Sequence, residues 1–259
     1  MLTRTYISWN NGMTEEYLAS FEYPSAKVFV TLLEAVGEVA DEILMKLGAE
    51  SLRIKALDPA GLSLIDLEIP SSAFTTYEVR SQELSVGVNL GSLLKVLPKP
   101  RKSDVLKFSA NEMFYRIVIE GTTPKSFKFR SIEVPAEDVP ELSLEFKVRA
   151  IILSTAFKQA MSTLRGAGTV EIEVPSADYI ILRGGGSIVK LSRVAGSILD
   201  IEFEESVKSA YEENYLNKIS PLLGLTDNLE FSLSSSKPLR TVFKLPGDVL
   251  IRYVLAPQV

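Results

Sequence analysis

The chain contains no cysteine and no histidine. Without cysteine there is no disulfide framework, no thiolate zinc site and no cysteine nucleophile. Without histidine it lacks the one side chain that titrates unperturbed near pH 7, which is also the usual general base and the commonest metal ligand. Most familiar hydrolase chemistry is disfavoured on these grounds, and the expectation is a noncatalytic protein with no catalytic residue, no metal and no cofactor. Long apolar runs are missing too. The longest stretch free of charge, Leu84–Leu94, is far too short to cross a bilayer. Met1–Ser20 has no basic segment followed by a long apolar core, so no secretory signal is read and a cytoplasmic protein is expected. Asn and Gln together number only 10, a depletion that points to a hot environment.

What is present belongs to an ordinary globular chain. Its 259 residues are 46% hydrophobic and 24% charged, which excludes disorder and low complexity and allows one large domain or two smaller ones. Apolar and polar residues alternate over 52–56, 62–69, 105–109, 114–120, 170–174, 188–193, 229–233 and 249–255, the signature of strands with one buried face. Turn residues punctuate these runs at Asp58–Gly61, Gly121–Pro124, Gly184–Gly186 and Pro246–Asp248. Two segments switch to a helical period: Phe29, Leu32, Leu33 and Val36, then Phe157, Ala160, Met161 and Leu164, with Ser25 and Ser154 as N-caps. Shorter helices are expected near Leu90–Leu97 and Glu212–Ile219.

The last two helices expose an internal repeat. A shift of 123 residues superimposes Leu93 on Leu216, Lys95 on Lys218, Pro98 on Pro221, Asp104 on Asp227 and Phe108 on Phe231. The first helices match at a shift of 128. One α+β unit is therefore present twice. Its period is far longer than that of a solenoid. Between the copies, Glu133–Glu141 carries two prolines and four acids, which suits an extended connector and no helix interior.

Three segments then carry a resemblance. Leu57-Asp58-Pro59-Ala60-Gly61-Leu62-Ser63-Leu64, Gly185–Ser192 and the tail Tyr253-Val254-Leu255-Ala256-Pro257-Gln258-Val259 resemble a PCNA-type DNA sliding clamp of the archaeal kind. The resemblance implies two topologically similar clamp domains, 21–131 and 143–259, joined by a connector at 132–142. Residues 1–20 form an extension without a counterpart. It further implies outer antiparallel sheets, two inner helices per domain and a ring of three subunits around duplex DNA. The ring is either a homotrimer or a mixture with paralogous clamp chains. A separate loader ATPase is implied as a partner, together with replication and repair proteins that dock a short peptide. The subunit interface is expected to pair Lys125, Phe127 and Phe129 with Ser187, Val189 and Leu191 of the next subunit.

The same resemblance gathers Leu57, Asp58, Gly61, Leu62, Leu64, Val139, Pro140, Pro238, Val254, Leu255, Ala256, Pro257 and Val259 into an apolar peptide-docking pocket. Taken singly, such Leu and Val residues read as core. Asp58 reads equally as the cap of a turn. Lys27, Lys95, Lys99, Arg101, Lys102, Lys158, Arg165 and Lys218 are the DNA-facing candidates, although any one of them also fits a solvated helix face. A net charge of −5 does not argue against DNA, because a closed ring is retained topologically and only its hole needs cations. On the first helix the positions matching Lys158, Ser162 and Arg165 are Val30, Glu34 and Gly37, so that helix is expected to contribute little. The alternative is a carboxylate-dependent hydrolase using Asp58, Asp66 and Glu68, although Asp66 and Glu68 alternate with Leu67 and Ile69 like an exposed strand face. Gly184–Gly186 lacks the Lys-Ser/Thr of a phosphate loop and reads as a hairpin turn.

Overall fold

A computed structural model describes residues 16–135 and 144–258. Most of the expected extension and connector, with Val139, Pro140 and Val259, lies outside the described residues. The first half runs β1 (Ala19–Tyr23), α1 (Ala26–Gly37), β2 (Glu42–Gly48), β3 (Ser51–Leu57), β4 (Ser63–Pro70), β5 (Thr76–Val79), β6 (Glu83–Asn89), α2 (Leu90–Val96), β7 (Val105–Ala110), β8 (Phe114–Glu120) and β9 (Lys125–Arg130). The second repeats that order as β10 (Val148–Leu153), α3 (Ser154–Thr163), β11 (Thr169–Ser176), β12 (Tyr179–Gly184), β13 (Ser187–Ser192), β14 (Ile198–Phe203), β15 (Val207–Glu212), α4 (Glu213–Asn217), β16 (Asn228–Leu233), β17 (Leu239–Leu245) and β18 (Val249–Leu255). Strand β1 begins two residues ahead of the domain boundary read from the sequence.

All strand pairs are antiparallel, in sheets ordered β5-β1-β7-β8-β9, β14-β10-β16-β17-β18-β4-β3-β2-β6 and β13-β12-β11-β15. The repeat explains this arrangement. Each half makes one five-stranded and one four-stranded sheet. The central sheet is the second half's five joined edge to edge to the first half's four through β18 and β4.

The helices are short and held by local chemistry plus packing. Ser25 caps α1, its hydroxyl accepting from the Val28 amide at 3.3 Å, a contact worth about 1 kcal/mol. The expected cap at Ser154 is not one. Ser154 is the first residue inside α3, fully buried, and its hydroxyl lies 3.3 Å from that of Thr226. Its amide donates to the Asp227 carbonyl at 2.9 Å, as the Ala26 amide does to Asp104 at 2.7 Å. Ser154 is thus the repeat partner of Ala26, not of Ser25, and a backbone carbonyl closes the start of α3. Helix α4 is shorter than its periodicity predicts, because Lys218 already turns back with its amide on the Tyr215 carbonyl.

Phe21 centres the first core, with ring centroids 4.8 Å from both Phe74 and Phe108 and 5.5 Å from Phe29. Phe157 and Phe231, the counterparts of Phe29 and Phe108, meet at 5.8 Å in the second. Helices α1 and α2 pack on each other, as do α3 and α4, and the 3-10 turn Leu222–Gly224 touches both α1 and α3. The helices of the two halves therefore share one layer.

Candidate functional site

The seam between the halves is a junction of two sheets edge to edge. Across β18 and β4, Arg252 stands opposite Asp66 and its guanidinium reaches the carboxylate at 3.2 Å. One strand further, Arg53 holds Glu68 at 2.7 Å. Asp66 and Glu68, two of the three carboxylates of the hydrolase alternative, are thus engaged by arginines on a sheet face. No cluster of candidate metal ligands occurs among the described residues. Gly184 closes β12, and Gly185 and Gly186 take φ of 55° and 81° in a two-residue turn into β13. Left-handed backbone at both central positions is what a tight hairpin demands.

Strands β9 and β13 are end strands of their sheets. By the repeat they are the counterparts of β18 and β4, the two strands that join inside the chain. The expected interface residues fall on them. Phe127 and Phe129 are half-buried against the core and Lys125 is exposed. On β13, Ser187 and Val189 are half-buried, whereas Leu191 is buried and offers an edge partner only its backbone. Two other sheet ends, β6 and β15, are covered locally. Beside β6 the Ile132 amide donates to the Gly87 carbonyl at 3.1 Å. Beside β15 the Gln258 amide donates to Ala210 at 2.8 Å. The start of the connector and the C-terminal tail are thus equivalent straps, each following the last strand of its half.

Leu57, Leu64 and Val254 lie side by side on neighbouring strands and face the same way, forming an apolar row across β3, β4 and β18. Leu62, 39% exposed, sits beside them, and its carbonyl accepts the Ala256 amide at 2.8 Å, which ties down the tail. Ala256 and Pro257 are half-buried and Gly61 is exposed, with φ of 71° in the turn. Leu255 departs from expectation: it is 1% exposed and belongs to the core, because alternation along β18 turns it away from Val254. Pro238 lines a separate cleft with Phe146 and Lys147. A larger cleft of about 780 Å³ runs beneath Val134 and Pro135. Leu57 joins it, yet most of its lining is charged, including Lys46, Arg53, Lys55, Asp66, Glu68 and Arg252.

Asp58 is 3% exposed. Its carboxylate accepts from the amides of Ala60, at 3.1 Å, and Ser63, which fulfils the turn-cap reading. It also accepts the Tyr215 hydroxyl at 3.1 Å, across 157 residues of sequence, from α4 of the other half. Tyr253 donates in turn to the Tyr215 carbonyl at 2.8 Å. Burial pushes the Asp58 carboxyl up, but the two amides, the Tyr215 hydroxyl and the nearby Lys218 outweigh it, so its pKa falls below the ordinary value. The same contact, added to burial, raises the Tyr215 pKa. Tyr215 carries no motif in the sequence; only the internal repeat that aligns Lys218 with Lys95 points to its neighbourhood.

Of the DNA-facing candidates, Lys158 and Arg165, with Ser162 between them, share the exposed side of α3 and the turn after it. Lys27 is exposed in the first turn of α1, Lys95 on α2, and Lys99, Arg101 and Lys102 in the loop that follows. Lys218 differs from its counterpart Lys95. It is half-buried, with its ammonium 4.2 Å from the Tyr215 ring centroid, and serves the junction with Asp58. Val30, the counterpart of Lys158, is buried.

Comparison with known proteins agrees with this architecture. Residues 19–137 match the family model of the proliferating cell nuclear antigen N-terminal domain. DNA polymerase sliding clamp 1 of Aeropyrum pernix is 31% identical over 92% of this chain and 99% of its own length. Its namesake from Sulfolobus acidocaldarius is 32% identical over 91% and 98%. In the crystal structure of the PCNA2–PCNA3 complex from Sulfolobus tokodaii, a chain 26% identical superposes with a TM-score of 0.86, covering 92% of this chain and 99% of that one. A duplicated unit whose inner seam joins the same two strands left at the sheet ends, with match to these proteins along nearly the whole length, places the chain in the DNA polymerase sliding clamp family.

Proposed function

We propose that this clamp is one subunit of a three-subunit ring that encircles duplex DNA, with domains 21–131 and 143–259 and the connector 132–142 between them. The observation that carries the ring is the central sheet: β18 joins β4 inside the chain, and their counterparts β9 and β13 are end strands. Repeating the inner junction between molecules pairs β9 of one subunit with β13 of the next, and three such junctions cover every edge of this kind. Lys125, Phe127 and Phe129 then meet Ser187, Val189 and Leu191.

Function follows from closure, not chemistry. Lys158 and Arg165, with Lys27, Lys95, Lys99, Arg101 and Lys102, give the helix layer mobile, sequence-independent phosphate contacts. Client proteins dock a short apolar peptide on the row Leu57, Leu64 and Val254 beside Leu62 and Pro257, adding to the tail. Tethering raises the effective concentration of polymerases, nucleases and ligases at DNA. The chain has no nucleotide-binding motif, so a loader ATPase opens the ring, and the clamp works in the cytoplasm on the nucleoid.

Retention on DNA is the test. The complete ring, loaded on nicked circular duplex, resists a wash in high salt, and linearising the circle releases it. Equal retention on circular and linear DNA refutes topological binding.

A further inference from the structure

The row formed by Leu57, Leu64 and Val254 does not end at Val254. In register across the next strands, Val254 stands opposite Arg240, Arg240 opposite Ser232 and Ser232 opposite Arg149. Arg240 therefore shares the sheet face of the apolar row and lies one strand beyond it. It is half-buried, and its guanidinium lies 4.6 Å from the ring centroid of Phe146. Phe146 is 5% exposed yet is not part of the hydrophobic core, and with Pro238 it lines a cleft of about 380 Å³. The Phe146–Arg240 stack thus links the row to the cleft of Pro238.

A cation placed there is poorly served. An aromatic ring and an apolar strand neighbour strip it of part of its water. Its Nε is shielded from solvent and donates to nothing among the described residues. The carboxylates nearest in register are already engaged, Glu230 by Lys244, Asp66 by Arg252 and Glu202 by Arg149. Burial, followed by the charge of Arg149, pushes the Arg240 pKa below the ordinary arginine value, and Glu230 offsets this only in part. A guanidinium pre-positioned by stacking is a fork for a carboxylate, which it meets with parallel hydrogen bonds.

We propose that Arg240 is a specificity residue of the docking row and that the peptides this clamp captures carry a carboxylate side chain close to their apolar anchors. The inference rests on the docking row proposed above and adds the charge of the peptide. Three strand spacings separate Leu57 from Arg240, about 14 Å, which an extended peptide spans in about four residues. Anchor and carboxylate therefore fit on one short segment. A wholly apolar peptide covers the guanidinium without pairing it, which selects against that peptide.

The test measures fluorescence anisotropy of short labelled peptides on the full chain. The peptides share one set of apolar and aromatic anchors and carry Glu, or Gln in the matched control, at each neighbouring position in turn. On wild type, Glu at one or two positions is expected to bind about tenfold more tightly than Gln, the lower end for a hydrogen-bonded charge pair at a half-buried site. Arg240→Gln brings the preference within about twofold, and Arg240→Lys keeps part of it, because the charge remains and the fork is lost. Circular dichroism confirms that the variants fold, and the Glu–Gln comparison on wild type needs no variant. Equal affinity for Glu and Gln at every position overturns the proposal, as does a preference that survives Arg240→Gln. Leu62→Asp separates this from failure of the row itself. If it weakens every peptide, Glu and Gln alike, the row is the site whatever Arg240 does. If it changes nothing, or if no peptide binds wild type, the docking row falls and the selectivity with it.

Discussion

Tyr215→Phe removes one hydroxyl and tests whether the two halves are latched through Asp58. The hydroxyl donates to a carboxylate that is 3% exposed, at 3.1 Å. A hydrogen bond to a charged group contributes about 1.5–3 kcal/mol. Tyr215 is half-exposed, so water replaces part of the contact and the lower end, about 1.5 kcal/mol, is expected. For a chain of this size that lowers Tm by roughly 3–6 °C. The pH dependence carries the sign. The Asp58 pKa is depressed in the fold, relative to about 3.9 in the unfolded chain. Its contribution is therefore complete above that unfolded value and is lost as pH falls through the folded one. The gap in stability between wild type and Tyr215→Phe is expected to stay constant from pH 5 to about 8 and to shrink below about 4. Chemical denaturation at several pH values, combined with Asp58→Asn in a double-mutant cycle, reads both effects. Coupling below about 0.3 kcal/mol, or a gap that does not respond to acid, refutes the latch.

Gly87→Ala places a Cβ 1.9 Å from the Ile132 carbonyl oxygen. Backbone must move, at about 1–3 kcal/mol, and limited proteolysis is expected to cut after residue 130 several times faster. Lys158→Ala/Arg165→Ala leaves folding within about 0.5 kcal/mol, and reduces the salt slope of binding by the assembled ring to short linear duplex by up to about 2; an unchanged slope moves DNA off α3. Leu62→Asp, at a residue 39% exposed, is expected to weaken capture of a clamp-binding peptide at least tenfold in fluorescence anisotropy without lowering Tm; unchanged affinity places the peptide elsewhere. Phe21→Ala empties the centre of the first aromatic core at about 3–5 kcal/mol, whereas its repeat partner in β10 is already Ala150, so the cost is confined to the first half.

The strands legible in the sequence are those with one wet and one dry face. Val105–Ala110 and Phe114–Glu120 alternate because the sheets bury one side. Strand β5 has no buried residue at all, so alternation had nothing to record. The caps show the same limit at finer scale. Ser25 and Ser154 look alike in sequence, but which residue closes a helix depends on where Asp104 and Asp227 present their carbonyls, and both lie more than seventy residues away. In the candidate site, Asp58 was visible as a turn residue because its amide partners are local. Its bond to Tyr215 spans 157 positions and leaves no local trace. Leu255 reads with its tail neighbours because proximity in sequence ignores the alternation that sends it into the core.

Duplication turns such differences into information, because each position has an internal control. Positions that match between the copies are held by packing: Phe29 with Phe157, Phe108 with Phe231, and the amides of Ala26 and Ser154 on equivalent carbonyls. Positions that diverge on the surface are not so held, and their divergence reports what each copy meets. Gly37 is an instructive exception. A Cβ there stands 3.2 Å from Leu94, so close packing of α1 on α2 explains why no counterpart of Arg165 occupies it. Asp66 and Glu68 are half-buried on their sheet face and hold Arg252 and Arg53, whereas Ile188 and Lys190 on the counterpart strand β13 are exposed. Packing therefore fixes the shared frame, and the residues that differ where packing is silent distinguish the seam closed within the chain from the strands left at the sheet ends.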